Sequence, residues 1–235
     1  MPNKLASIIL VCENLARDCA DWQLILGYPP KISDDYAVFA AGNVNVSLFA
    51  RDSLSHFFPD VDLSQNPRAL WGLSFYNDTM PEQALEACAQ TRNLPIFLND
   101  KPHIEATYDA NCVNEIDHVV VQTQDADAIV DLFGTRLGIR LALRQNVPEW
   151  GGEMLFFRTN HMSIEVIANA KSAPEDSLWG LALRCQDINQ VHARLVAAGV
   201  RVSDIRDGRK KGTRVATVKD HVMGIGTLLI EHEAH

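Results

Sequence analysis

The chain lacks most of the features that would place it outside ordinary globular proteins. Its five cysteines (Cys12, Cys19, Cys88, Cys112, Cys185) are odd in number and contain no CxxC pair. That excludes a complete disulfide framework and reads as reduced, mostly buried thiols, so a cytoplasmic location is expected. No apolar run is long enough to span a bilayer, and Met1-Pro2-Asn3-Lys4 lacks the basic and apolar segments of a secretory signal. Lys and Arg number 21 against 30 Asp and Glu, a formal net charge of −9, which argues against a nucleic-acid partner. There is no Gly-rich phosphate loop after a strand and no GxSxG nucleophile elbow. The terminal Glu231-His232-Glu233-Ala234-His235 has the wrong spacing for HExxH, and it ends a strand rather than lying on a helix.

What is present is a repeat. Leu-Trp-Gly-Leu occurs at Leu70 to Leu73 and again at Leu178 to Leu181, each time opening a strand that precedes a helix. Four segments share one layout of strand, amphipathic helix, helix stop and further strands. The first has strands at Leu5 to Cys12, Tyr36 to Ala40 and Val44 to Phe49, with Cys19, Trp22 and Leu26 on a helix that stops at Gly27. The second opens at Leu70 to Tyr76, with Pro81 in a first helical turn and Leu85 and Cys88 on one helix face. It is short, so a strand is expected to be missing. The third opens at Ile116 to Gln122. Ile129, Leu132 and Phe133 form its helix face before Gly138, and strands follow at Glu153 to Arg158 and Met162 to Ile167. The fourth opens at Leu178 to Arg184, with Ile188, Val191 and Leu195 on a helix stopping at Gly199. Strands at Arg201 to Asp204, Thr213 to Lys219 and Gly226 to His232 complete it. The stretches from Arg51 to Arg68 and from Asn169 to Ser177 read as connecting loops. Trp22, Trp71 and Trp179 read as core packing, and Trp150 as a loop residue beside a pocket.

The run Ile116-Asp117-His118-Val119-Val120-Val121, with a helix opening at Asp125, carries a resemblance. So do Ser163-Ile164-Glu165-Val166 and Leu228-Leu229-Ile230-Glu231. Repeated β-α-β-β-β units of this kind resemble the vicinal oxygen chelate superfamily, which includes glyoxalase I, extradiol dioxygenases, epimerases and bleomycin-resistance proteins. The resemblance implies an α+β fold of tandem modules pairing into two curved-sheet cups, the second module truncated. It divides the chain into residues 1–113, expected to be metal-free, and 114–235, which carries the candidate site. Pairing within one chain and across a homodimer are both open.

Strand alternation then nominates residues for the second cup. His118 is expected to share a face with Ile116, Val120 and Gln122; Glu165 with His161, Ser163 and Ile167; and Glu231 with Thr227 and Leu229. The resemblance makes His118, Glu165 and Glu231 three of four metal ligands, with Glu165 also the base. Imidazole and carboxylate donors suit a divalent Zn, Fe, Mn, Ni or Mg. The fourth position falls on Gly180, which has no side chain; His221 or His161 could stand in. In the first cup the corresponding residues are Ser7, Ser47 and Gly72, none a good ligand. Arg184, Gln122 and Arg214 are the candidate substrate-binding residues. Arg214 ends the basic run Gly208 to Arg214, which reads either as a clamp for an acidic substrate or as a solvated turn.

Three functions follow from the resemblance. The leading one is a metal-dependent lyase or isomerase acting on a small carbonyl or thioester substrate. The second is a metal-free module that sequesters a small molecule. The third, a ring-cleaving dioxygenase, is disfavoured by Gly180, where a second histidine would be required.

Overall fold

The computed structural model describes residues 4–59, 61, 63, 69–76, 93–99, 104, 106–159 and 162–233. The helix expected after Pro81, with Leu85 and Cys88, lies outside the described residues, as does His161. So does the side chain of Trp150.

The N-terminal part holds β1 (Lys4–Cys12), α1 (Leu15–Leu26), β2 (Lys31–Ile32), β3 (Tyr36–Ala41) and β4 (Val44–Ala50). A short helix α2 (Leu54–Phe57), β5 (Leu70–Tyr76) and β6 (Ile96–Asn99) follow. Its sheet runs β2-β3-β4-β1-β5-β6. Next come β7 (Val113–Thr123), α3 (Ala126–Ile129) with a π-helical continuation through Val130–Arg136, β8 (Arg140–Val147), β9 (Gly152–Arg158) and β10 (Ser163–Asn169). β11 (Ser177–Cys185), α4 (Ile188–Ala197), β12 (Arg206–Asp207), β13 (Thr213–Val218) and β14 (Gly226–His232) end the chain. These strands form a second sheet, β12-β13-β14-β11-β7-β10-β9-β8. Both sheets use one plan: the opening strand of a unit pairs in parallel with the unit's last strand and antiparallel with the opening strand of its sister unit. The fold is therefore α+β, built from repeated units on one plan. Among the described residues the unit opened by β5 has β6 as its last strand and is two strands shorter than the others, where one missing strand was expected.

Local chemistry sets the helix ends. Asn14 caps α1 by accepting from the Arg17 N–H at 3.0 Å, and Gly27 stops it at φ 92°, a conformation that favours glycine. Asp187 caps α4 by accepting from the N–H groups of Asn189 and Gln190. The expected strand from Arg201 to Asp204 is instead one bridge, Val202 to Val218. There the Ser203 hydroxyl accepts from the Thr217 N–H at 2.8 Å, where a continuous ladder would supply a carbonyl. Strand β8 escapes sequence reading because all but two of its side chains are exposed, so no alternating burial marks it.

The two faces of the sheets differ. Trp22, Ile25 and Leu26 of α1, Ile129 and Phe133 of the third unit, and Val191 and Leu195 of α4 all belong to one core cluster with residues of both sheets. The helix-bearing faces thus share a core. Arg194 of α4 reinforces it, donating to the carbonyls of Leu24, of Ile25 (2.8 Å) and of Asn111 (2.8 Å). The opposite faces carry two separate small clusters, one per sheet, and these line the cups.

Candidate active site

The first cup is filled by its own chain. Leu54 of α2 packs with Ile9, Val11, Trp71 and Phe97, and the ring of Phe58 lies 5.1 Å from Trp71 and 4.6 Å from Phe97. Ser7 and Ser47 are hydrogen-bonded to each other at 2.7 Å. Part of the segment read as a loop, Arg51 to Arg68, is therefore a plug.

Among the described residues the second cup has no such cover, and the repeated tetrapeptide shows the contrast. In both copies the register slips at the tryptophan, opposite Ile9/Leu10 for Trp71 and between Leu178 and Gly180 for Trp179, so both rings turn toward a cup. Trp71 is 8% exposed beneath Phe58, whereas Trp179 is 52% exposed and lies against Gly226. Trp179 is therefore a wall of an open cup, correcting its assignment to the core.

A second register slip decides the polar centre. Ile116 faces Leu183 and His118 faces Ala182, which leaves Asp117 unpaired as a bulge. Ile116 and Val119 both enter the helix-side core, while Asp117 and His118 both turn to the cup. The expectation that His118 and Ile116 share a face fails for this reason: one extra residue inverts the alternation. On the cup floor lie Ala182, Val215, Leu228 and Ile230.

Four polar side chains line up over that floor. His118 Nδ1 is 2.9 Å from Asp117 Oδ2 and 3.4 Å from Glu165 Oε1, and the other Asp117 oxygen, Oδ1, is 2.6 Å from His232 Nε2. Sequence reasoning passed over His232 and Asp117. The parity of β14 was the available signal, since His232 shares a side with Ile230 and Leu228. Burial alone would raise the Asp117 carboxyl, but the hydrogen bonds and charges of His118 and His232 overcome it and hold the group at about 2. Glu165 is shifted the other way: burial raises its carboxyl, and Asp117 adds to this, against the lowering effect of His118 and Lys210. Asp117 holds His118 at Nδ1, leaving Nε2 as the ring atom available to a substrate.

The other nominated residues go elsewhere. Glu231 lies on the helix side of β14. Its Oε2 accepts from the Ile188 N–H at 2.7 Å, and its Oε1 is 2.7 Å from Nη2 of Arg214. Arg214 therefore braces α4 rather than facing the cup, and its Nη1 also reaches Asn189 at 3.2 Å. The alternation of Glu231 with Thr227 and Leu229 is right, but that face is the core side. Arg184 is on the cup face and paired with Glu115 at 2.9 Å. Gln122 is on the same face of β7, farther along the strand. His221 meets Asp21 at 2.7 Å, at the contact between the two halves.

Known proteins resemble part of this chain. Residues 117–217 match the family model of the glyoxalase/bleomycin resistance protein/dioxygenase superfamily. No curated protein matches the chain in sequence. Similar solved structures include a hypothetical protein from Bacillus halodurans C-125, at 16% identity over 52% of this chain and 96% of that one, with TM-score 0.44. Methylmalonyl-CoA epimerase from Mycobacterium tuberculosis is 21% identical over 56% of this chain and 95% of its own, with TM-score 0.45. A Streptomyces coelicolor methylmalonyl-CoA epimerase variant in complex with 2-nitronate-propionyl-CoA is 20% identical over 51% and 97%, with TM-score 0.42.

The four ligand positions that the superfamily resemblance implies are not met by the described side chains. Of the three nominated ligands, His118 and Glu165 face the cup and Glu231 does not. A Cβ at Gly180 would stand 2.6 Å from the carbonyl oxygen of Gly226, so a side chain there requires the backbone to move. Among the described residues no three His, Cys, Asp or Glu side chains are arranged to hold a metal ion.

The depressed Asp117 carboxyl has a measurable consequence. Its folded pKa of about 2 lies below the ordinary 3.8. Its ionised form thus contributes about 2 kcal/mol to stability above pH 4, lost as the pH falls toward 2. Glu165, shifted upward, contributes in the opposite sense, being most favourable when protonated at low pH. Comparing wild type with Asp117→Asn isolates the first effect. The stability difference between them should shrink by about 2 kcal/mol from pH 5 to pH 2 in urea titrations; a constant difference would refute it.

Proposed function

We propose that the second cup performs acid–base chemistry at a carbon next to the carbonyl of a small carbonyl or thioester compound, as an isomerase or lyase. The observation that supports this is Glu165, a carboxyl raised by burial, standing beside an imidazole oriented by Asp117. In this reading Glu165 takes the proton from the C–H bond, and the electron pair moves onto the carbonyl oxygen. His118, through Nε2–H of its imidazolium, donates to that oxygen, with Asp117 compensating the positive charge. Returning the proton to carbon completes an isomerisation. No step is assigned to a metal, because the donors described do not converge. Residues 114–235 carry the activity in this reading. Residues 1–113, with their filled cup, act as a structural partner.

A second reading is a binding module without turnover, favoured by the half-exposed Trp179 ring on the cup face that also carries Glu165 and Asp117. The two are separated by incubating the whole protein in D2O with small ketones, aldehydes and acyl thioesters and following loss of the α-proton signal by NMR. The expected result is exchange with at least one compound, unchanged by EDTA. Exchange lost to EDTA and restored by a divalent ion would overturn the metal-free mechanism. Stoichiometric binding with no exchange would leave the binding module.

A further inference from the structure

A row of side chains crosses the cup face at the level of His118. Cross-strand register sets Arg140 opposite Arg158, Arg158 opposite Ser163, and Ser163 opposite His118. Leu141 and Phe157, the adjacent residues of β8 and β9, pack on the helix-side core. Arg140 and Arg158 therefore face into the cup, and both are exposed.

Two like charges directly opposite each other on antiparallel strands repel. A chain of net charge −9 has carboxylates in excess to relieve such a pair. Elsewhere on this sheet it does so: Arg144 meets Asp127 and Glu153, Arg184 meets Glu115, and Arg214 meets Glu231. Arg140 and Arg158 make no ion pair among the described residues. Arg158 instead donates from Nη1 to the Ser163 hydroxyl at 3.2 Å, which draws its guanidinium toward the His118 side of the row. From the turn between β12 and β13, at the other edge of the sheet, Lys210 lies close enough for its charge to act on Glu165.

We infer that Arg140 and Arg158 form a subsite for a carboxylate or phosphate group on the small molecule handled by the second cup. The inference rests on the acid–base reading of Glu165 and His118 and narrows its substrate to an anionic carbonyl compound. Opposed residues on antiparallel strands stand about 5 Å apart at Cα, so two planar forks can grip one anion from both sides. Arg158 is two strands from His118, about 10 Å at Cα, which puts the anionic group several bonds from the reacting carbon. Without an anion the pair is mutually repelling, and a bound anion removes that cost.

The test is an NMR titration of the whole 15N-labelled protein with inorganic phosphate and, separately, malonate as a carboxylate probe. At least one probe should bind saturably, and the variant carrying Arg140→Gln and Arg158→Gln should weaken its Kd at least about tenfold, as expected for lost charged hydrogen bonds. Lys31→Gln, an exposed charge on β2 at the edge of the first sheet, should change Kd less than about twofold, by loss of a distant screened charge. An unchanged Kd in the double variant, or no saturable binding of either probe to wild type, overturns the subsite. Because both arginines are exposed and repel, the double variant should fold at least as stably as wild type, which a melting curve checks. Binding needs no turnover, so the two readings can fail independently. Arginine-dependent binding with no exchange chemistry would keep the subsite and remove the acid–base reading. Exchange with arginine-indifferent binding would do the reverse.

Discussion

Glu165→Gln is expected to lower proton exchange at the substrate carbon by about a hundred- to ten-thousand-fold, the usual contribution of a positioned general base. Glutamine keeps the size of the side chain and its place on β10 beside β7, so the cup remains intact and only the proton acceptor is lost. Stability should not fall. A carboxyl raised by burial is costly to ionise at neutral pH, and an amide removes that cost. The pH profile supplies a second criterion. Wild-type exchange should rise as Glu165 ionises, above the ordinary glutamate range, and the residual rate of the variant should lack that limb. Exchange within about threefold of wild type, far below what a general base contributes, would remove Glu165 from the chemistry.

Glu231→Ala should unfold the protein more easily without touching the exchange reaction, the opposite of what its nomination as a metal ligand implies. Its carboxylate satisfies the Ile188 N–H at the start of α4 while Asp187 satisfies those of Asn189 and Gln190. Its other oxygen neutralises Arg214, whose side chain is 35% exposed against 14% for Glu231. Removing it leaves the Ile188 amide without an acceptor and the partly buried Arg214 guanidinium with Asn189 but no compensating charge, a cost of about 2–3 kcal/mol. In a chain of this size that corresponds to a drop of roughly 4–12 °C in melting temperature. Arg214→Met in the same background should recover part of the loss, because the uncompensated charge goes with it. Loss of exchange activity at unchanged stability would show instead that Glu231 serves the site.

Much of this architecture is legible in the chain itself. The duplicated Leu-Trp-Gly-Leu marks the opening strands of sister units, and the helix faces at Trp22, at Leu132 and Phe133, and at Val191 and Leu195 coincide with those that enter the core. Strand limits at Leu70 to Tyr76 and Gly226 to His232 coincide with those observed. His118 and Glu165, nominated from their place in the strands, do meet in the second cup at 3.4 Å. What could not be read was sidedness. Period-two alternation sorts a strand into two sets of residues, but it does not say which set the helices will cover. Glu231 and His232 therefore exchange roles relative to expectation. Nor does alternation announce a bulge, and the extra residue at Asp117 turns Asp117 and His118 to the same side.

The sequence by itself determined the units, their order and the α+β class, because helix and strand periods are local and each copy of the repeat states them again. Only the tertiary structure decided that Phe58 and Leu54 close one cup while Trp179 stands open over the other. Only it joined Glu165, His118, Asp117 and His232 into one row. Those outcomes depend on register between strands distant in the chain, where a slip of one residue moves every side chain beyond it to the opposite face.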